Sequence, residues 1–144
     1  RSGQTRNMGD DKGKPYIVHP ERVARIVEIE LGKRRHYGQL TGWEKTEADN
    51  MIAAAWLHDT MEDCQLSETD LIFKGIVFPV INIVKTLTRI EDETYFDFIL
   101  RIKEDSNACL VKICDIRDNM AGLKEGSRKD KYRFATYILE NEIF

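Results

Sequence analysis

The chain has 144 residues, of which 42% are apolar, and a formal charge of −3 at neutral pH. That length suits one globular domain burying roughly two-thirds of its unfolded surface, and the acidic balance speaks against a nucleic-acid scaffold while allowing a local basic pocket. The three cysteines, Cys64, Cys109 and Cys114, are too sparse for a disulfide framework and point to reduced thiols in the cytoplasm.

No stretch approaches the ~20 apolar residues of a spanning helix, and no signal-peptide pattern opens the chain. Membrane association is therefore not expected. The first residue is Arg1 rather than Met, so the natural start is expected to lie upstream. No internal repeat or low-complexity segment is evident.

Residues 1–15 are polar and carry Gly3, Gly9, Gly13 and Pro15, a loop composition. Pro20 suits the first position of a helix. Val23, Ala24, Ile26, Val27 and Leu31 then recur at helical spacing, and Gly32 is expected to end the run. Residues 33–42 read as a basic, flexible connection. Thr46 with Asp49 resembles a helix N-cap and its partner, opening a helix expected to carry both the apolar run 51–57 and His58-Asp59. Ser67 with Asp70 repeats the device before Leu71, Ile72 and Phe73. Pro79 is placed to start a helix holding Val80, Ile83, Val84 and Leu87. Tyr95, Phe98, Ile99 and Ile102 fit a further amphipathic helix. Residues 107–120 hold Leu110, Val111, Ile113, Cys114 and Ile116, a β-branched content that leaves helix and buried strand both open. Phe134, Tyr137, Ile138 and Leu139 suggest a closing helix. No alternating strand pair with a hairpin turn occurs, so the chain reads as all-α.

The chemistry concentrates in His58-Asp59-Thr60-Met61-Glu62-Asp63. On one helix, residues three or four apart share a face, which sets Asp59 near Glu62 and Asp63, and His58 near Glu62. A divalent-metal site of two imidazoles and two carboxylates needs one more histidine and one more acid. Of the three histidines, His19, His36 and His58, His19 is the candidate. Asp115 is the matching acid, because a carboxylate among apolar neighbours is costly unless a cation or donor satisfies it. Asn119, one turn on, could orient Asp115 or a substrate, and Lys112, one turn before it, could neutralise a leaving phosphate. Each piece also has a plain structural reading. His58 could be a satisfied core histidine, Glu62-Asp63 a solvated helix end, His19-Pro20 a helix start, and Asp115 a partner of Lys112 or Arg117. Their joint occurrence favours the metal site.

Three segments together resemble the HD superfamily of metal-dependent phosphohydrolases: Gly13-Lys14-Pro15-Tyr16-Ile17-Val18-His19-Pro20, Ala54-Ala55-Trp56-Leu57-His58-Asp59-Thr60-Met61-Glu62-Asp63 and Val111-Lys112-Ile113-Cys114-Asp115. Within it, the chain is most similar to the hydrolase domain of the RelA/SpoT group and the small alarmone hydrolases. The likeness runs from Gly3-Gln4-Thr5-Arg6 to the Asn119 region. It implies a compact, single-domain helical HD-type fold over residues 1–144 with the metal site between helices. By the same resemblance, His19, His58, Asp59 and Asp115 match four metal ligands that usually hold Mn²⁺. Fe²⁺ and Zn²⁺ also suit such donors. Glu62 and Asp63 match the acidic pair that positions and deprotonates the attacking water. Asn119 matches an asparagine contacting the nucleotide, and Arg6 an arginine packing on the base.

Departures from the pattern fall where a nucleotide would be recognised. Asn7 follows Arg6 where a lysine is common, and Asp118 precedes Asn119 where a histidine is usual. The 8–14 loop is longer, and the 33–43 connection is unusual. The leading expectation is a hydrolase removing the 3′-pyrophosphate of (p)ppGpp or attacking a related nucleotide. The alternatives are a phosphatase acting on a 5′-monophosphate or on the phosphate of NADPH, and a non-catalytic nucleotide-binding regulatory module. An intact Glu62-Asp63 pair argues against the last. The expected partner is a phosphorylated nucleotide, with no polymeric nucleic acid. The oligomeric state is left open.

Overall fold

The computed structural model describes residues 18–36 and 45–141, with the backbone alone at Arg35 and His36. Arg6, Asn7, the 8–14 loop and residues 37–43 lie outside the described residues, as does the His36 side chain.

The first helix, α1 (Val18–His36), buries Val23, Ala24, Val27 and Leu31 along one stripe. Two expectations about it need correction. Pro20 is its third residue rather than its first, which is tolerated because first-turn N–H groups lack helical partners anyway. Gly32 lies inside the helix and does not end it. An interior glycine costs about 1 kcal/mol relative to alanine. Burial of Leu31 and the ion pairs of Glu30 with Arg34 (3.4 Å) and Arg117 (3.1 Å) outweigh that cost. Residues 33–36 are accordingly helical.

The next helix, α2 (Lys45–Leu57), packs extensively against α1 and buries Ala48, Met51, Ala54 and Ala55. Thr46 sits within it instead of capping it, and Lys45 pairs with Asp49 at 2.9 Å. The helix stops at Leu57. His58 and Asp59 form a turn, followed by the short α3 (Thr60–Asp63). This corrects the expectation of one continuous helix through the motif. The His58 Nδ1–H donates to the Ala55 carbonyl at 2.6 Å and the Thr60 hydroxyl to the Leu57 carbonyl at 2.8 Å. Side chains thus take up acceptors that another helical turn would have used.

Helix α4 (Glu68–Phe73) opens on the expected capping box: Ser67 Oγ accepts from the Asp70 N–H at 3.0 Å and Asp70 Oδ2 from the Ser67 N–H at 2.8 Å. It closes in a left-handed turn at Gly75 (φ +87°), with the Ile76 N–H reaching the Leu71 carbonyl at 3.1 Å. Helix α5 (Phe78–Thr86) has Pro79 in its first turn and buries Val80, Ile81, Ile83 and Val84. Helix α6 (Tyr95–Lys103) is capped by Thr94 and buries Phe98, Ile99 and Ile102.

Residues 106–120 settle as helix α7 (Ser106–Met120), whose first N–H groups are taken by Asp105 Oδ1. Apolar side chains line it on nearly every side, since it packs on α1, α2, α5, α6 and the last helix. A helix buried all round shows no single stripe, which is why its sequence also resembles a strand. That last helix, α8 (Ser127–Glu140), turns Ala135, Ile138 and Leu139 inward. Phe134 and Tyr137, two of the residues that suggested this helix, are 57% and 59% exposed. Phe134 stacks on Phe96 of α6 at the surface, ring centroids 6.1 Å apart. The described residues contain no strand, so the fold is all-α, and no helix among them is long and apolar enough to cross a membrane.

Candidate metal centre

Three segments meet around α7. The first turn of α1 supplies His19, the turn between α2 and α3 supplies His58 and Asp59, and the third turn of α7 supplies Asp115. His19, His58 and Asp115 are all at most 4% exposed. His19 Nε2 lies 2.9 Å from Asp115 Oδ1, which lies 3.2 Å from His58 Nε2. His58 Nε2 is in turn 3.3 Å from Asp59 Oδ2. One donor atom from each of His19, His58 and Asp59 falls within a 4.8 Å group, a set that could hold a metal ion. Asp115 joins it through Oδ1, while its Oδ2 accepts from Lys112 Nζ at 3.0 Å and Asn119 Nδ2 donates to Oδ1 at 3.3 Å.

The residues fit a cation. With its Nδ1–H given to Ala55, a neutral His58 directs the Nε2 lone pair at two carboxylates, and that buried nitrogen has no hydrogen-bond partner among the described residues. Such a grouping is stable only with a proton or a cation between the lone pairs. The acid–base balance reflects the same demand. Burial alone would lower the His19 pKa, but hydrogen bonds to Asp115 and Asp118 and the nearby Asp59 raise it to about 9. His58 is likewise raised: burial opposes the shift, and Asp59 and Asp115 overcome it. Asp115 is held well below the usual carboxylate range, because Lys112 and the histidines outweigh its burial.

Behind His19 stands a pair that sequence reasoning missed. Asp118 Oδ2 sits 2.6 Å from His19 Nδ1, and Asp118 Oδ1 accepts from Arg22 Nε at 2.7 Å. The only signal was spacing: Asp118 follows Asp115 by three residues and Arg22 follows His19 by three, so each shares a helix face with a candidate ligand. Tyr95, read only as part of an amphipathic helix, keeps a buried hydroxyl without a hydrogen-bond partner among the described residues. Burial lifts its pKa to about 12, so it stays protonated.

The expected acidic pair lies on α3. Asp63 is half-buried, its N–H donating to the Asp59 carbonyl at 2.8 Å. Glu62 is exposed and accepts from the Arg89 backbone N–H at 2.9 Å. Asn119 is half-buried beside Asp115. Lys112 is largely enclosed, its ammonium given to Asp115 and lying 5.2 Å from the centre of the Phe98 ring. Arg6 lies outside the described residues.

No family model matches the chain. A guanosine-3′,5′-bis(diphosphate) 3′-pyrophosphohydrolase of Vibrio cholerae is 30% identical over 149 residues, which take in 96% of this chain and 18% of that protein. The chain is thus similar to guanosine-3′,5′-bis(diphosphate) 3′-pyrophosphohydrolases, in keeping with its resemblance to the RelA/SpoT hydrolase group. A GTP pyrophosphokinase of Myxococcus xanthus is 27% identical to this RelA/SpoT-like chain over 96% of its length and 17% of the relative's. The zebrafish (Danio rerio) enzyme MESH1, also named a guanosine-3′,5′-bis(diphosphate) 3′-pyrophosphohydrolase, is 36% identical over 58% of this chain and 42% of its own. The RelA/SpoT-like chain thus spans less than a fifth of the long bacterial relatives.

Proposed function

We propose that this chain is a metal-dependent phosphohydrolase that removes the 3′-pyrophosphate of (p)ppGpp. The observation that carries the reading is the convergence of His19, His58, Asp59 and Asp115 from three distant segments, with the His58 Nε2 lone pair left for a cation. The relatives named as pyrophosphohydrolases supply the substrate. Mn²⁺ is the proposed ion, with Fe²⁺ and Zn²⁺ as competitors that geometry would sort. When bound, such an ion supplies Lewis acidity and makes water a competent nucleophile near neutral pH.

The chain's own groups do the rest. Glu62, with Asp63, orients the attacking water and takes its proton as phosphorus is attacked in line. The bond from phosphorus to the 3′-oxygen breaks, its electron pair stays on that oxygen, which takes a proton from solvent to restore the 3′-hydroxyl, and pyrophosphate carrying the water's oxygen is released. Phosphoryl transfer asks mainly for positioning and charge stabilisation. Lys112 and Asn119 serve that end by holding Asp115 with Oδ1 toward the histidines. Asn119 and Arg6 are further proposed to contact the nucleotide. The free thiols of Cys64, Cys109 and Cys114 fit a cytoplasmic setting.

The test is incubation of Mn²⁺-loaded protein with ppGpp, GMP and NADPH, with products identified by mass. Pyrophosphate from ppGpp is expected, and the His58→Ala, Asp59→Ala double variant should lose the reaction. Phosphate from GMP or NADPH would install the phosphatase reading instead. Full turnover by the double variant would overturn the site.

A further inference from the structure

Resting on that metal-centre reading, we propose that Asp118 and Arg22 clamp His19, deciding which ring nitrogen faces the ion and making this imidazole the stronger of the two donors. A carboxylate can only accept, so Asp118 Oδ2 at 2.6 Å obliges His19 Nδ1 to carry the proton. Nε2, on the Asp115 side, is then the nitrogen that meets the ion, which takes the place of the proton shared with Asp115. Arg22 Nε, donating at 2.7 Å to the other oxygen, orients the Asp118 carboxylate and offsets a third acidic group beside Asp59 and Asp115. Arg22 is the outer member of the clamp, its side chain 40% exposed against 8% for Asp118.

The second imidazole provides an internal contrast. His58 gives its Nδ1–H to a neutral carbonyl, that of Ala55, also at 2.6 Å. A charged acceptor pushes more electron density into the ring than a neutral one and raises the basicity of the opposite nitrogen. The two histidines are therefore unequal ligands by construction. His19 and Arg22 sit one turn apart on α1, and Asp115 and Asp118 one turn apart on α7. The register of two helices thus sets the ring, and no loop can relax it.

Zinc binding by calorimetry and ¹⁵N-histidine spectra of the Zn²⁺-loaded protein test the clamp without recourse to turnover. The wild type should show His19 protonated at Nδ1 and coordinated through Nε2. Asp118→Ala should weaken zinc binding about 10–100-fold, and Asp118→Asn, which keeps an acceptor but not the charge, should lose less. Arg22→Gln should keep the His19 tautomer and lose affinity several-fold. An unchanged affinity in Asp118→Ala with wild-type His19 signals would reduce the pair to an interhelix salt bridge, leaving the metal centre intact. If Asp118→Ala does not fold, Asp118→Asn and Arg22→Gln decide, and wild-type affinity in both overturns the clamp. A wild type that binds neither Zn²⁺ nor Mn²⁺ overturns centre and clamp together.

Discussion

Glu62 is exposed and tied down by the Arg89 N–H, whereas Asp63 is half-buried next to the Asp59 backbone. Loss of a positioned general base typically costs ~10²–10⁴-fold in rate. Glu62→Gln should therefore lower kcat by about that factor while leaving the Mn²⁺ affinity within twofold of wild type, because Glu62 is not among the proposed ligands. A parallel loss of metal affinity would recast it as a ligand. A second expectation concerns the thiols. Cys64 is exposed, while burial pushes the Cys114 thiol up to about 12 and raises that of Cys109. A thiol-reactive dye at pH 8 should titrate Cys64 rapidly and reach the other two only as the protein unfolds. At this scale the sequence was informative where residue type is rare. Three histidines and an aspartate in an apolar run leave few ways to assemble a centre. Asp118 drew attention only as a departure from the family pattern and Arg22 none, because surface-type residues are common and their role exists only once α1 lies against α7.

Among the elements, the link from α5 to α6 is gathered around the Arg101 side chain. Arg101 donates from Nε and Nη2 to both oxygens of Glu93, at 2.8 and 3.0 Å, and from Nη1 and Nη2 to the carbonyls of Thr86 and Thr88. That clasp fixes the loop from which Arg89 reaches Glu62. Arg101→Met should destabilise the protein by about 2–4 kcal/mol in urea titrations, since two carbonyls lose their guanidinium donor and the Glu93 carboxylate keeps the Ile90 N–H but loses its bidentate partner. Its pH dependence has a definite sign. The hydrogen bonds from Arg101 depress the Glu93 pKa below its usual 4.5. The contribution is thus complete above that value and disappears as pH falls through the lower, folded value. The gap between wild type and Arg101→Met should narrow on acidification, keeping the share owed to the two carbonyls, and a constant gap would sink the argument. Helix positions were largely readable from apolar spacing and caps, most clearly at Ser67-Asp70. Ends were harder, because tertiary forces decided them. Leu31 and Glu30 carry α1 through Gly32, and His58 and Thr60 end α2 by capturing its carbonyls.

For the molecule as a whole, the centre ties together residues up to 96 positions apart, His19 and Asp115. An ion that binds only the folded form adds about 2.7 kcal/mol at a concentration 100 times its Kd. Thermal melts with Mn²⁺ should therefore rise above melts in EDTA, and the His58→Ala, Asp59→Ala variant should show no such rise. The all-helical class was legible from the absence of hairpin signals, but the central place of α7 was not, since burial on every side erases periodicity. That place has its own outcome for mutation. Removing Asp115 strands the enclosed Lys112 ammonium, at a cost of ~3–5 kcal/mol, so Asp115→Ala should be markedly less stable than Asp59→Ala even without metal. A descendant that had abandoned turnover would consequently still be under selection to keep an acid at position 115, and survival of that residue alone is no proof of an active enzyme.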